Sequence, residues 1–240
     1  IAANLGGMLT PFGNPQNLYL YTKFNIPNGE FMAIMAPPFV VSIALITLCC
    51  IVFVKPESLE INGEKTKLPV GKTALYLCLF ALSIAIVFRS IPYQLGVVVI
   101  TAVLAFVDIS ALKKVDYPLL FTFVFFFIFS GNMARIEVVR DFFSFLLSKS
   151  TLLFSVFSCQ LISNVPSAIL LSQFTGNYQD LLVGVNIGGV GTLISSLASL
   201  ITLREYVKYN PKKVGKYIGL FSAYNFGFLI ILTGTMLVIH

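Results

Sequence analysis

The sequence predicts an all-α, polytopic membrane protein with inverted repeats, a re-entrant hairpin and discontinuous helices, and three observations carry that expectation. Apolar residues make up 57% of the chain and charged residues 11%, with a mean hydropathy of +0.90, where a soluble domain holds roughly 25% charged residues. Four stretches, 32–54, 117–134, 181–203 and 217–239, carry no charge, and about 20 helical residues match the hydrocarbon core. Beside and within such stretches lie clusters of Gly, Pro and Asn that no continuous helix favours. The apolar runs do not alternate with polar residues, which argues against the strands of a membrane β-barrel.

The elements follow in order. Residues 1–30 begin with "NLGGMLTPFGNPQN" at 4–17, an irregular segment, then continue as helix over 18–24 to a polar turn at 25–30. The block 31–72 holds a span at 32–54, with Pro37 and Pro38 near its start, and a hydrophilic loop at 55–72. A scaffold-type block, 73–134, holds spans at 73–88, 93–107 and 117–134, the first two short enough that one or both should extend into their flanks. In 135–150, Glu137, Arg140, Asp141, Ser144 and Ser148 share one helical face, and Phe142, Phe143, Leu146 and Leu147 the other. That pattern predicts a helix lying in the membrane interface. The block 151–240 opens on 151–172, continues through 181–203, and ends with basic residues over 204–216 and a last span at 217–239.

The net charge of +6 fits basic loops that orient spans better than a nucleic-acid partner. Cys49, Cys50, Cys78 and Cys159 lie in apolar segments without metal-ligand spacing. His240 is the last residue, and no HExxH, GxSxG or carboxylate pair falls within a span; no enzyme and no organic cofactor is expected. The chain has no initiator Met and opens inside a motif, which predicts a fragment lacking its N-terminal part.

Residues 4–17 acquire meaning from an internal repeat. At an offset of 182, "ANLGGMLTPFGNPQN" lies over "VNIGGVGTLISSLAS": Asn4 meets Asn186, Gly6 meets Gly188, Gly7 meets Gly189 and Thr10 meets Thr192. Gly13 and Asn14 meet Ser195 and Ser196, and "YTKFN" at 21–25 is followed in the second copy by "YVKYN" at 206–210. Breaking a helix in the bilayer frees backbone groups that each cost several kcal/mol unless satisfied. Matching breaks in two halves of a chain are the sequence pointer to a secondary transporter's binding site. The half-helix N-termini suit an anion, and unwound carbonyls with Asn and Thr side chains suit Na⁺. Two readings compete: Gly188, Gly189 and Gly191 could serve only close helix packing, and an ion channel also uses broken helices and carbonyls.

The stretch 151–172, "TLLFSVFSCQLISNVPSAILLS", has the length of one span yet carries "SNVP" at 163–166. It is either a Pro-kinked span or a re-entrant hairpin whose second arm starts near Pro166, capped by Ser163 or Asn164. The hairpin puts eleven basic residues inside and five outside, against ten and six for the span. The counts do not separate the two, but only the hairpin gives the two copies opposite orientations.

"ANLGGMLTPFGNPQN", "KVDYPLLFTFVFFF" and "SCQLISNVPSAILL" together resemble the ion transporter superfamily, which includes the divalent anion:sodium symporters, the arsenite permeases, the citrate transporters and one type of Na⁺/H⁺ antiporter. The resemblance covers nearly the whole chain. It implies a transport part with two hairpins and two broken helices that moves as an elevator against a dimerising scaffold, so that a homodimer is expected of the full-length protein. It also implies a small anion as substrate, a lipid bilayer as setting, and a multi-pass protein of the bacterial plasma membrane. Carried over, the binding residues are Asn4, Gly6, Gly7, Thr10, Gly13, Asn14 and Asn17 in the first copy. In the second they are Ser163, Asn164, Asn186, Gly188, Gly189, Thr192, Ser195 and Ser196, with Ser163, Asn164, Gly188 and Thr192 as the candidates for Na⁺. This chain departs from the family at the tip, where the dicarboxylate symporters usually show Ser-Asn-Thr and it shows Ser-Asn-Val. The first hairpin of the pattern would precede Ile1.

Overall fold

Every element in the described residues of the computed structural model, 1–54 and 69–239, is a helix. In chain order these are Ala2–Gly6 (α1), Pro15–Lys23 (α2), Asn28–Phe53 (α3), Val70–Val87 (α4), Tyr93–Val107 (α5), Ile109–Lys113 (α6), Tyr117–Met133 (α7), Glu137–Lys149 (α8), Thr151–Ile162 (α9), Asn164–Leu171 (α10), Tyr178–Ile187 (α11), Leu197–Tyr209 (α12) and Val214–Ile239 (α13). The expected loop falls, through residue 68, outside the described residues, as does His240.

Among the described residues three helices are long and apolar enough to cross a membrane: α3, α4 and the last, counted from Pro211 to Ile239. Their flanks carry Val40, Ile51, Leu77, Phe80 and Ile230 exposed. Large aliphatic and aromatic surfaces of this extent belong against lipid rather than water. α3 starts at Asn28, so the polar turn is shorter than expected and Pro37 and Pro38 lie well inside the helix. Of the two short spans, α4 extends back to Val70, while α5 stops at Val107.

Contacts divide the chain into two compact units, Ile1–Cys50 with Leu120–His240, and Ile51–Leu119. In the smaller unit, Gly96 lets the Ile86 side chain close onto the backbone of α5. Asp108 ends α5 and caps α6, accepting from Ser110 N at 3.1 Å and from Tyr76 Oη at 2.6 Å. These hydrogen bonds, that of Ser110 foremost, hold its carboxyl at about 2, below the usual carboxylate range.

In the larger unit, α7 and α8 meet at 98°. Along α8, Leu147 is buried and Phe143 stacks on Phe174 with centroids 4.9 Å apart. Arg140, Glu137 and Asp141 are exposed, with ion-pair distances of 3.8 and 3.9 Å. Ser144, expected on the charged face, is half-buried with its hydroxyl 3.5 Å from Phe174 O, and Phe142, expected on the apolar face, is exposed.

The stretch 151–172 is a hairpin. α9 and α10 have 12 and 8 residues, about 18 and 12 Å of helix, and neither alone crosses a core of about 30 Å. Ser163 between them has φ 75°, a left-handed turn that a serine adopts only where the surroundings hold it. Ser158 and Ser167 hydrogen-bond through their hydroxyls at 2.9 Å, whereas nine residues of continuous helix would separate them by about 13.5 Å.

The core of this unit is built around α11. Every residue from 181 to 191 is buried, as expected of a helix that is apolar on all sides. Leu5, Met8, Leu20, Tyr21, Leu152 and Cys159 close around it.

With the native cysteines removed, Ser158→Cys together with Ser167→Cys should form a disulfide on mild oxidation, read as loss of both free thiols and a cross-linked peptide in mass spectrometry. Two free thiols after oxidation would mean that the arms do not fold back on each other.

Candidate functional site

Both repeat copies break, and they break alike. In the first, α1 ends at Gly6 and α2 begins after Asn14, whose backbone is extended (φ −141°, ψ 147°). In the second, α11 ends at Ile187, a single 3-10 turn covers Leu193–Ser195, and α12 begins after Ser196 (φ −151°, ψ 149°). Asn14 and Ser196 are equivalent at the offset of 182, so the same position starts the second half-helix in each copy. Two glycines are required by geometry. Gly191 has φ +121°, and a side chain on Gly13 would strike the Gly7 carbonyl.

One amide stitches each break. Asn17, fully buried at 0% exposure, donates through Nδ2 to the carbonyls of Gly7, Met8 and Thr10 at 3.3, 3.1 and 3.2 Å. Gln160, from the first hairpin arm, donates through Nε2 to the carbonyls of Gly188 and Val190 at 2.9 and 3.1 Å. Its Oε1 accepts from Thr192 N at 2.8 Å.

The two breaks meet. Asn4 Nδ2 donates to Gly189 O at 2.9 Å and to Ser196 Oγ at 2.7 Å. Asn186 Oδ1 accepts from Gln16 Nε2 at 3.0 Å and from Asn14 Nδ2 at 3.4 Å, while its Nδ2 donates to Asn17 Oδ1 at 2.6 Å. The bond from Asn4 to Ser196 and the bond from Asn14 to Asn186 join equivalent pairs of positions in the two copies, with donor and acceptor exchanged. The Gly189 carbonyl joins this centre to the hairpin tip: it also accepts from Ser195 Oγ at 2.9 Å, and Ser163 Oγ donates to Ser195 O at 3.2 Å.

The sequence-derived residues thus fall into three groups. Asn4, Asn14, Asn17, Asn186, Gly189, Ser195 and Ser196 form the centre, with the carbonyls of Gly7 and Thr10 held behind it by Asn17. Ser163, Gly188 and Thr192 line the junction of hairpin and break, where Gly188 O and Thr192 N bind Gln160 and Thr192 Oγ1 donates to Gln160 O at 3.1 Å. Asn164 is buried at the tip and accepts from Val165 N at 2.9 Å. Gly6 stands apart: it is exposed and nothing lies near it. Gly188 also packs directly against Cys159 of α9, so close packing and backbone presentation coexist in one residue. Gln16 and Gln160 join the site without having been named as binding residues; Gln160 is the one amide of α9.

The centre holds no charged residue, and among the described residues no His, Cys, Asp or Glu cluster could hold a metal. Half-helices α2, α10 and α12 all begin at residues of this cluster, so the partial positive charge of three helix N-termini gathers there. A cavity of about 350 Å³ elsewhere in this unit, between α8 and the hairpin, is lined by apolar side chains such as Phe143, Phe154, Phe157 and Leu171 and shares no residue with the polar centre.

The family model for the citrate transporter matches residues 1–178, which takes in the first break and the hairpin. The chain is 33% identical over 223 residues to the uncharacterized transporter MJ0456 of Methanocaldococcus jannaschii, covering 91% of this chain and 59% of that protein. It is 31% identical over 210 residues to the inner membrane protein YbiR of Escherichia coli, covering 85% of this chain and 56% of that one. The chain therefore spans somewhat over half the length of the curated relatives it matches. No solved structure gives a significant match.

Asn186→Leu strands the Gln16 amide and Asn17 Oδ1 in the interior and should destabilise the protein by about 2–5 kcal/mol, read by thermal unfolding in detergent. Gly191→Ala should cost about 1–3 kcal/mol from backbone strain and more from the clash with Gln160. Unchanged stability in either variant would refute the packing described for that break.

Proposed function

The chain belongs to the citrate transporter family, and from that premise we propose that it serves secondary active transport of a small anion across the cell membrane. The substrate is a dicarboxylate, citrate or an inorganic oxyanion. The observation that carries the reading is the meeting of two broken helices on a neutral centre rich in amide N–H donors. Such a centre stabilises negative charge without a fixed counter-charge, because oriented N–H groups and half-helix N-termini supply the positive potential.

Movement follows from the same parts. Neither hairpin arm reaches across the bilayer, and both breaks are tied to each other, so the site travels with its elements. The right-angled turn from α7 into α8 supplies a helix suited to lie in the interface and link a moving part to a fixed one, an elevator in which the whole protein forms a homodimer. Cation coupling belongs to the same proposal, with Na⁺ taken by oxygens at the Ser163–Asn164 tip.

The test is uptake of labelled anions by proteoliposomes of the whole protein, with and without a Na⁺ gradient. Saturable uptake with counterflow is expected. Asn164→Ala and Thr192→Ala should each lower it at least ~10-fold, equivalent to about 1.4 kcal/mol of binding or barrier, while membrane insertion stays normal. Unitary conductance in a planar bilayer would replace the transporter by a channel, and normal uptake in both variants would remove the site assignment.

A further inference from the structure

Two carbonyl oxygens of the second break, and a third from one turn back in α9, converge on one nitrogen. Gln160 Nε2 lies 3.2 Å from Val156 O, 2.9 Å from Gly188 O and 3.1 Å from Val190 O. A primary amide has two N–H bonds, so three acceptors share two donors. Converging carbonyls of this kind are what proteins use to replace the hydration shell of a monovalent cation. We infer that the Gln160 carboxamide stands in for a cation, closing the second break permanently where a bound ion would otherwise be needed.

Three further features fit the amide in particular. Its oxygen accepts from Thr192 N at 2.8 Å, a group that repels a cation, so the seat matches a dipole with its positive end on the carbonyls and its negative end on the N–H. The backbone turns left-handed at Gly191, φ +121°, and a Cβ there would run into the carboxamide of Gln160; the loop is shaped around the side chain. The closing group also comes from α9, 28 to 32 residues away in sequence. It therefore locks the hairpin arm to the broken helix, and Thr192 Oγ1 on Gln160 O at 3.1 Å repeats the lock on the main chain. On the transporter reading proposed above, the consequence is that any coupling cation acts at the Ser163–Asn164 tip and not among the carbonyls of Gly188 and Val190.

The experiment compares wild type, Gln160→Ala and Gln160→Glu of the whole protein, purified in NaCl, with Tm measured in NaCl, KCl and choline chloride at equal ionic strength. Removing the amide exposes the carbonyl cage, so Gln160→Ala should lose several degrees in choline chloride and recover most of them in NaCl or KCl. Gln160→Glu keeps the shape but sets an oxygen against the carbonyls, so its Tm should depend on the metal cation more steeply still. Wild type should show a smaller difference between salts than either variant. Equal destabilisation of both variants in all three salts would reduce Gln160 to a packing role and overturn the inference. So would a wild-type Na⁺ response that disappears in Gln160→Ala, because Gln160 would then be a ligand of the ion and not its substitute. If neither variant folds even in NaCl, a cation cannot replace the amide and the inference fails. None of these readouts needs transport, so a failed anion screen would count against the transporter reading alone.

Discussion

A helix opened away from water must find a partner inside the protein for every backbone group it frees, and this molecule is organised around that requirement. The carbonyls of Gly7, Met8 and Thr10 go to Asn17, those of Gly188 and Val190 to Gln160, and that of Gly189 to Asn4 and Ser195. Nearly all of this work is done by carboxamides. An amide both donates and accepts, reaches two or three groups at once, and brings no charge into a medium where an unpaired ion is expensive. A hydroxyl has a single proton to give, and an arginine would need a carboxylate beside it.

The exchange between the copies is what makes distant segments one body. Asn4 reaches Ser196 and Asn14 reaches Asn186, each bond spanning more than 170 residues of chain. Residues 1–50 accordingly belong to the same compact unit as 120–240, while 51–119 form their own. The second copy in turn supports the side chain that closes the first break, since Asn186 binds both Gln16 and Asn17.

Much of this was legible in the sequence, and the remainder was hidden for definite reasons. Both breaks show as Gly, Pro and Asn set into charge-free stretches, and the alignment that paired Asn14 with Ser196 rests on four matched residues at one offset. The choice between hairpin and span was not legible: charge counts differ by one residue between the two, and the deciding contact, Ser158 to Ser167, depends on a φ of 75° at a serine that no propensity anticipates. Gln160 was equally invisible. One glutamine has no periodicity, and its partners in the break, Gly188, Val190 and Thr192, lie 28 to 32 residues away. The stop at Asp108 reflects a carboxylate that caps the next helix and binds Tyr76, a tertiary reason for ending a run of apolar residues that could have continued.

A centre in which amides already bind one another seems ill suited to receive a ligand, since every new hydrogen bond must displace an old one. The distances resolve this. Two of the bonds that join the breaks are short, 2.6 Å between Asn186 and Asn17 and 2.7 Å between Asn4 and Ser196. The bond of Asn14 to Asn186 is 3.4 Å and only partly buried. It is the link that can be surrendered without reopening the backbone, because Asn14 keeps its second bond to Asn4 O at 3.0 Å. Hydrogen bonds to an anion are roughly twice as strong as those between neutral groups. On the transporter reading proposed above, an anion at Asn14 would gain by this exchange while the Asn17 and Gln160 bonds stay in place.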